Sequence, residues 1–432
     1  MIILDLETSG LKAKDDAIIE VALLRIDETG KILEQYSSLV NPGFVISAEI
    51  TLLTSITPEE LESAPAIGSL KSKIVEFIGN SPVIGHNVGF DLDFLSQNGM
   101  FPSNSLVIDT FKMAEILYHE EKSLNLSSLT EMLGYVHKNA HRAGSDVEAT
   151  LYLLQAEMAL LRSLTPTQSA ILARAAVLSR SPMFEWMRSL GQSSQDFKLE
   201  GEVSRIQSGD ESAIDPKESV RQDRRAHSPS WMIFAPHFED ALMREIDRRA
   251  LASDTPKKSK KAPAKKPLPT WSELLALGDL EERPEQSRLV AMTMAHMQTA
   301  GHLCAEAPTG IGKTFAYLYP AVITALTTGK QVCVSTNTKA LQDQIEQKDF
   351  PKLTSLFEQA GIPGLELQKL KGRKNYLSLL AYFEFFDQDE LSETAAILAA
   401  KLGFWALTSR AHELDEISLY GEEYSLIEDI HA

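Results

Sequence analysis

The chain has 432 residues, more than one compact core usually holds, so two or three domains are expected and a single small module is excluded. Apolar types make up 44% and charged types 24%, the composition of a soluble globular protein, and 42 Lys plus Arg against 60 Asp plus Glu give a formal net charge of -18. That charge repels nucleic acid and anionic membrane at long range, so any polyanion partner must be held locally. Only Cys304 and Cys333 occur, which excludes a disulfide framework and any four-cysteine zinc or iron–sulfur site built from this chain alone. The first residues, MIILDLE, carry neither a basic n-region nor a small-residue cleavage site, and no apolar run approaches membrane-spanning length. No membrane partner and a reducing cytoplasm are the expectation.

Residues 1–160 alternate short β-rich runs (IILDLE, AIIEVALLRI, ILEQYSSLV, SPVIGHN) with amphipathic stretches such as DLDFLSQ and DVEATLYLLQ, an α/β pattern. Thr57, Pro58 and Glu60 mark a helix start with an N-cap, an N1 proline and a capping-box acid. Residues 161–270 begin helical, turn polar at 191–230, and continue into WMIFAPHFEDALMREIDRRA at 231–250, which reads as an amphipathic helix. They close on TPKKSKKAPAKKPLP, whose six lysines and four prolines read as a solvated linker or, alternatively, as a basic arm for nucleic acid. From 271 to 432 a second α/β pattern follows, with β-like runs HLCAEA and QVCVS each leading into a helix. No internal repeat is visible.

Asp5 and Glu7 stand two apart in a predicted strand, so both carboxylates project from one face while Leu4 and Leu6 point to the other. Asp91 follows His86 and Asn87 at a strand-to-helix junction, with Asn87 a candidate helix cap. Asp146 lies in the first turn of another helix, and His141 precedes it on a Gly-containing loop. Hydrolysing a phosphodiester calls for two divalent ions roughly 4 Å apart, oxygen ligands suited to Mg²⁺ or Mn²⁺, and a base that titrates near neutral pH. Four acids and one histidine supply that set. Taken singly, a bare D-x-E is more often a solvated strand face, and Asp91 and Asp146 read equally as helix-start acids favoured by the macrodipole.

In this order and spacing, DLETSG, GHNVGFDLDFL and HRAGSD resemble the three motifs of the DnaQ-like 3'-5' exonucleases of the DEDDh type, and VNPG, LTSIT and VIDT are similar to further segments of that family. The resemblance spans residues 1 to about 155 and implies an RNase H-like domain, a mixed sheet with flanking helices. It implies that Asp5, Glu7, Asp91 and Asp146 hold two Mg²⁺ or Mn²⁺, that His141 deprotonates the attacking water, and that the backbone around Thr8 positions the terminal nucleotide of a single-stranded DNA 3' end. Ser55 departs from the pattern by replacing a glycine in the LTGIT-like segment.

EAPTGIGKTFAYLYP, at 306–320, follows an apolar run and leads into a helix, so in the candidate ATP loop of Ala307, Pro308, Thr309, Gly310, Ile311, Gly312, Lys313 and Thr314 the N–H groups from Thr309 to Thr314 frame a phosphate cradle. Lys313 would reach the outer phosphates and Thr314 a Mg²⁺, although Ala307 stands where the general motif has its first glycine. RPEQ at 283–286 looks like the adenine-reading segment of superfamily 2 helicases, which assigns Gln286 to ATP, and STNTKALQDQ and KLKGRKNYLSL are similar to later segments of XPD-like helicases. Ser378 takes the place of the first cluster cysteine there, so no iron–sulfur cluster is expected. An exonuclease domain followed by a partly disordered linker and an incomplete P-loop NTPase (RecA-like) domain resembles the exonuclease-bearing DinG family.

A DEAH box and an arginine-finger domain are not found before Ala432, and DEIS at 415–418 reads as part of an exposed helix. The expectation is a chain that stops inside the helicase domain, as a fragment, a frameshifted product or a natural truncation, binding ATP with Mg²⁺ but hydrolysing it negligibly. A metal-dependent 3'-5' exonuclease is the leading function. A DinG-type ATP-driven motor and a non-catalytic nucleic-acid-binding module are the competing ones.

Overall fold

The computed structural model describes residues 1–101, 105–137, 140–192, 267–299, 301–409 and 412–430. The polar stretch at 191–230, the helix expected at 231–250 and most of the lysine- and proline-rich run lie outside them. The chain divides into two units, Met1–Ser253 with Arg373–Ala432, and Asp254–Gly372.

The first unit is built on a five-stranded mixed sheet of order β3-β2-β1-β4-β5, from β1 (Ile2–Thr8), β2 (Ile18–Ile26), β3 (Ile32–Leu39), β4 (Val83–Gly85) and β5 (Val107–Asp109). The first three strands pair antiparallel, whereas β4 and β5 extend the sheet parallel to β1. In β1 the pleat sends Ile2, Leu4 and Leu6 into one core and Ile3 into another, so Asp5 and Glu7 share the second face. β2 is buried along nearly its whole length, as a strand covered on both faces must be, while β3 closes the edge with Glu34 and Gln35 exposed.

Helices α1 (Ala48–Thr54), α2 (Pro58–Glu62) and α3 (Ile67–Ile78) connect β3 to β4. The expected capping box is present in α2: Thr57 Oγ1 accepts the Glu60 N–H, and Glu60 accepts the Thr57 N–H. Ser55, in the glycine position of its motif, is the C-cap of α1 at φ 60°, a left-handed backbone that glycine adopts freely. Gly85 is needed where β4 meets α4 (Gly89–Gln97): a Cβ there would lie 3.0 Å from the Leu4 carbonyl and closer still to Val88. Asn87 does not cap α4. It takes φ 60° and gives its N–H to Asp109 Oδ1 at 2.8 Å, because the helix starts one residue later than a cap at Asn87 requires, with Val88 in the N-cap position and no side-chain cap.

α5 (Thr110–Leu117), α6 (Leu126–Met132), α7 (Ala143–Arg162), α8 (Pro166–Ser179) and α9 (Pro182–Gln192) complete the N-terminal part of this unit. Residues 166–192 are thus core helices and not linker, since Ile171, Ala175, Phe184 and Met187 join the same apolar cluster as Ile3, Val147 and Leu154.

In the second unit, α10 (Trp271–Leu277), α11 (Pro284–Met297), α12 (Lys313–Thr328) and, beyond the exposed α13 (Lys339–Gln344), α14 (Phe350–Gln359) gather around Trp271, Leu274, Tyr319, Leu353 and Phe357. HLCAEA and QVCVS, expected as strands, form no ladder among the described residues, and Cys304 and Cys333 are exposed. A parallel strand is held only by hydrogen-bonded neighbours, and the described part of this unit offers none.

Residues 373–430 leave the second unit and return to the first, a division different from the one expected at 271. α15 (Leu379–Phe386) and α16 (Glu393–Thr408) carry the reason: α16 is apolar around its circumference, with Ala395 through Leu407 all buried, and such a helix must be covered on every side. It packs between α8 and α5, with Leu377, Tyr382 and Trp405 in the cluster of Ile171 and Leu172. Polar contacts fix the register: Arg174 Nε donates to the Phe386 carbonyl at 2.6 Å, Leu391 N to the Leu178 carbonyl at 3.0 Å, and Lys112 pairs with Glu393 at 3.1 Å. The DEIS segment is not an exposed helix but a single 3₁₀ turn, Leu414–Glu416, whose flanking Glu413 is buried against Tyr376. Among the described residues no helix is long and apolar enough to cross a membrane.

Lys401 of α16 is 1% exposed and meets Glu423 Oε2 at 2.6 Å, with the Tyr420 ring 4.9 Å from its ammonium. Removing one member of a buried pair strands the other charge. Lys401→Ala is expected to lower the unfolding free energy of this unit by about 3–5 kcal/mol in urea denaturation, and Lys401→Met with Glu423→Leu by much less.

Candidate active site

The carboxylates converge at the C-terminal ends of the parallel strands, where α/β sheets open a crevice. Asp5 and Glu7 arrive on β1, and Asp146 comes from the first turn of α7, which lies over the same face. Oxygens of these three acids lie within 4.8 Å of one another. Asp91, in the first turn of α4, is near enough to Asp5 to repel it and is tied to β1 by the Leu6 N–H, which donates to its Oδ1 at 2.9 Å. Asp109 at the end of β5 supports that junction by accepting the Asn87 and Phe111 N–H groups at 2.8 and 3.0 Å.

Burial and mutual repulsion hold these acids protonated far above the usual carboxylate range. Asp5 rises well above it through burial and then through Asp91, Asp146 and Glu7. Glu7 is pushed up to about 8 by burial, Asp146 and Glu20, and Asp91 to about 8, chiefly by burial. Asp146 reaches about 7 by burial, although it accepts the His141 backbone N–H. Hard oxygen donors gathered at such a cost fit a divalent cation of the Mg²⁺ or Mn²⁺ type, whose charge would relieve the repulsion.

His141 sits on the loop before α7 with φ 63° and an exposed side chain, so its main chain reaches Asp146 and its imidazole faces outward. Sequence reasoning missed His137, four residues earlier, whose Nε2 lies 2.7 Å from Asp146 Oδ1 and whose Nδ1 is 3.3 Å from Ser127 Oγ. It also missed Glu20 and Arg142, which form a bidentate pair beside the cluster. The one signal for Glu20 was an acid interrupting the apolar run IIEVALLRI. His86 is structural: both ring nitrogens are engaged, with Thr110 Oγ1 and the Leu124 carbonyl, and burial lowers its pKa to about 4.

The second unit holds the phosphate-cradle residues. Gly310 and Gly312 take φ 85° and 82°, and Gly312 precedes α12 without any side-chain cap, leaving the helix N-terminal N–H groups for a ligand. Lys313 Nζ donates to the Ala307 carbonyl at 2.8 Å, Gln286 Nε2 to the Gly312 carbonyl at 2.8 Å, and Arg283 Nη1 to the Gly310 carbonyl at 2.5 Å. Pro308 and Thr309 are exposed, and Ile311 and Thr314 are half-buried. Ser378 is the N-cap of α15 and accepts the Ala381 N–H at 3.3 Å.

Residues 2–154 match the family model described as Exonuclease, and residues 283–376 match that described as DEAD/DEAH box helicase. The chain is 26% identical over 423 residues to a protein of Bacillus subtilis (strain 168) and 27% identical over 424 residues to one of Staphylococcus haemolyticus (strain JCSC1435), both named 3'-5' exonuclease DinG. Each alignment covers 97% of this chain and 42% of the relative, so the chain spans less than half the length of the curated relatives it matches. Among solved structures, Exonuclease X in complex with 5' overhanging duplex DNA aligns at 25% identity and a TM-score of 0.32, covering 38% of this chain and 93% of that one. Exonuclease I of E. coli in complex with a dT13 oligonucleotide aligns at 21% identity and a TM-score of 0.36, covering 42% and 45%.

Acids that keep their protons in the fold but lose them on unfolding stabilise the fold less as pH rises from the ordinary carboxylate pKa, about 4, toward their folded values of about 7 to 8. A divalent cation competes with those protons, so its stabilisation should grow over the same window. The rise in melting temperature on adding Mn²⁺ to the EDTA-treated chain is expected to be larger at pH 8 than at pH 6 and to be largely lost in Asp5→Asn. Equal melting with and without Mn²⁺ at pH 8 would remove the cation from the site.

Proposed function

We propose that this chain, an exonuclease domain joined to a DEAD/DEAH-type helicase segment, hydrolyses phosphodiester bonds at the 3' end of single-stranded DNA in a reducing cytoplasm. The observation that carries the reading is the convergence of Asp5, Glu7 and Asp146 within 4.8 Å, with Asp91 adjoining, at the open end of the parallel strands. Two Mg²⁺ or Mn²⁺ ions held by these four acids would supply Lewis-acid compensation for the charge that builds on the scissile phosphate. His141 takes the proton of the attacking water, and its exposed position on the loop before α7 lets the imidazole meet a substrate arriving from solvent. The backbone around Thr8, at the end of β1, positions the terminal nucleotide.

On a 5'-labelled oligonucleotide, Asp5→Ala and Asp146→Ala are each expected to abolish laddering, and EDTA to stop the wild type. His141→Ala should lower turnover by about 10²- to 10⁴-fold, with Mn²⁺ affinity nearly unchanged in calorimetry. Wild-type laddering in Asp5→Ala would overturn the assignment.

The reading extends to ATP with Mg²⁺ at Ala307–Thr314. It is supported by the uncapped start of α12, by the left-handed glycines, and by Lys313 and Gln286 already at the loop. Lys313→Ala is expected to weaken binding of a fluorescent ATP analogue and to leave the nuclease rate within about twofold, because the two sites occupy separate compact units. The same cradle favours a second reading, an ATP-driven DNA motor, which DNA-stimulated ATP hydrolysis would test.

A further inference from the structure

Glu20 lies in β2 directly across from Glu7 of β1, on the sheet face that α7 covers. Like charges in opposed positions on neighbouring strands repel, and burying another carboxylate beside three acids adds to the cost. Glu20 is nevertheless 5% exposed, and it is not one of the three acids whose oxygens converge. Its oxygens are engaged elsewhere. Oε1 accepts from Arg142 Nη2 at 3.0 Å, and Oε2 accepts from Arg142 Nε at 3.1 Å and from the Ala143 N–H at 3.0 Å. The planar fork of the guanidinium matches a carboxylate in two-point pairing. Arg142 is the residue before α7 and brings no capping side chain of its own, so a strand distant in sequence supplies the missing acceptor at the helix start.

We infer that Glu20 is a positioning residue for the acid cluster: it fixes the first turn of α7, so that Asp146 faces Asp5 and Glu7, and it holds the Arg142 guanidinium away from Glu7. The first part follows from connectivity, since Asp146 lies within the turn that Ala143 opens and the His141 loop ends at Arg142. The second follows from charge. Arg142 pairs with the residue directly opposite Glu7 in the β1–β2 ladder, so without Glu20 its guanidinium would have Glu7 as a neighbouring carboxylate to pair with, in competition with a cation.

The test uses the full chain, with calorimetric Mn²⁺ binding, thermal melting and 5'-labelled oligonucleotide turnover. Glu20→Gln keeps the shape of the side chain and an acceptor for the Ala143 N–H, so it should melt within a few degrees of wild type. Its Mn²⁺ affinity is expected to fall about tenfold or more and kcat by a similar factor, with KM for the oligonucleotide unchanged. Glu20→Ala should bind Mn²⁺ more weakly still, and the further change Arg142→Ala should restore part of that affinity without restoring the melting temperature. A purely structural Glu20 would move melting alone, so wild-type Mn²⁺ affinity in Glu20→Gln overturns the proposal. Failure of Arg142→Ala to restore affinity in Glu20→Ala overturns the second half. Only turnover rests on the exonuclease reading: if the wild type binds Mn²⁺ but cuts no oligonucleotide, that reading falls while the Mn²⁺ comparison still decides Glu20.

Discussion

The constraint on which the first unit depends is the burial of several carboxylates between one sheet face and the helix laid across it. Isolated buried anions are costly, and here burial and mutual repulsion keep Asp5, Glu7, Asp91 and Asp146 above their ordinary range together. Directed hydrogen bonds offset part of that cost: Leu6 N to Asp91, Asn87 N and Phe111 N to Asp109, and Arg142 with Ala143 N to Glu20. The remainder falls to the apolar part of the same interface. Ile3, Ala22 and Leu24 on the sheet and Val147, Leu151 and Leu154 on α7 are buried in one cluster, so the helix is pressed down a few residues from where its acids repel. A polar, strained site is carried at the edge of a dry core, the usual trade between function and stability.

That need for apolar support explains the architecture. The core under α7 does not end with the sheet but runs through α8 and α9 to α16, so a segment beyond the helicase-type match completes the first unit. Closing a core over a long intervening stretch is tolerable because loop-closure entropy grows only logarithmically with length, about 0.6 kcal/mol per doubling. The helicase-type match ends at 376 and the second unit at Gly372, so sequence similarity and packing divide the chain at nearly the same place.

Local periodicity made the strands, the shared face of Asp5 and Glu7, and the capping box at Thr57 legible in the sequence, because each is decided within a few residues. What escaped was decided by distant partners. Asn87 reads as a cap, yet α4 takes Val88 as its N-cap and Asn87 gives its N–H to Asp109; Glu20 reads as a stray acid, yet it pairs with Arg142 at the start of α7. His137 and His141 lie in one loop and are indistinguishable by spacing until the fold brings Nε2 of the first to Asp146. Residues 393–408 carried a signal that was passed over: a sixteen-residue helix with no polar face must be enclosed, and the P-loop pattern drew that stretch to the wrong unit. HLCAEA and QVCVS show the limit of apolar runs, since a parallel strand is fixed by its neighbours and not by its own composition.

The two candidate sites differ in how they stand before a ligand arrives. The acid cluster is set by β1 and by helix starts tied to it, so its oxygen donors converge without any ligand. The P-loop instead satisfies itself: Lys313, Gln286 and Arg283 each donate to a carbonyl of Ala307, Gly312 or Gly310. A triphosphate entering this loop would have to draw Lys313 from a neutral carbonyl to an anionic oxygen, an exchange favoured because the ammonium then meets a full opposite charge in place of a carbonyl dipole. Gln286 has no such incentive, because an amide gains little by leaving one neutral acceptor for another. On electrostatic grounds Lys313 would therefore be the group to move to a bound phosphate, while Gln286 would keep the Gly312 carbonyl in place and with it the direction of the N–H groups at the start of α12.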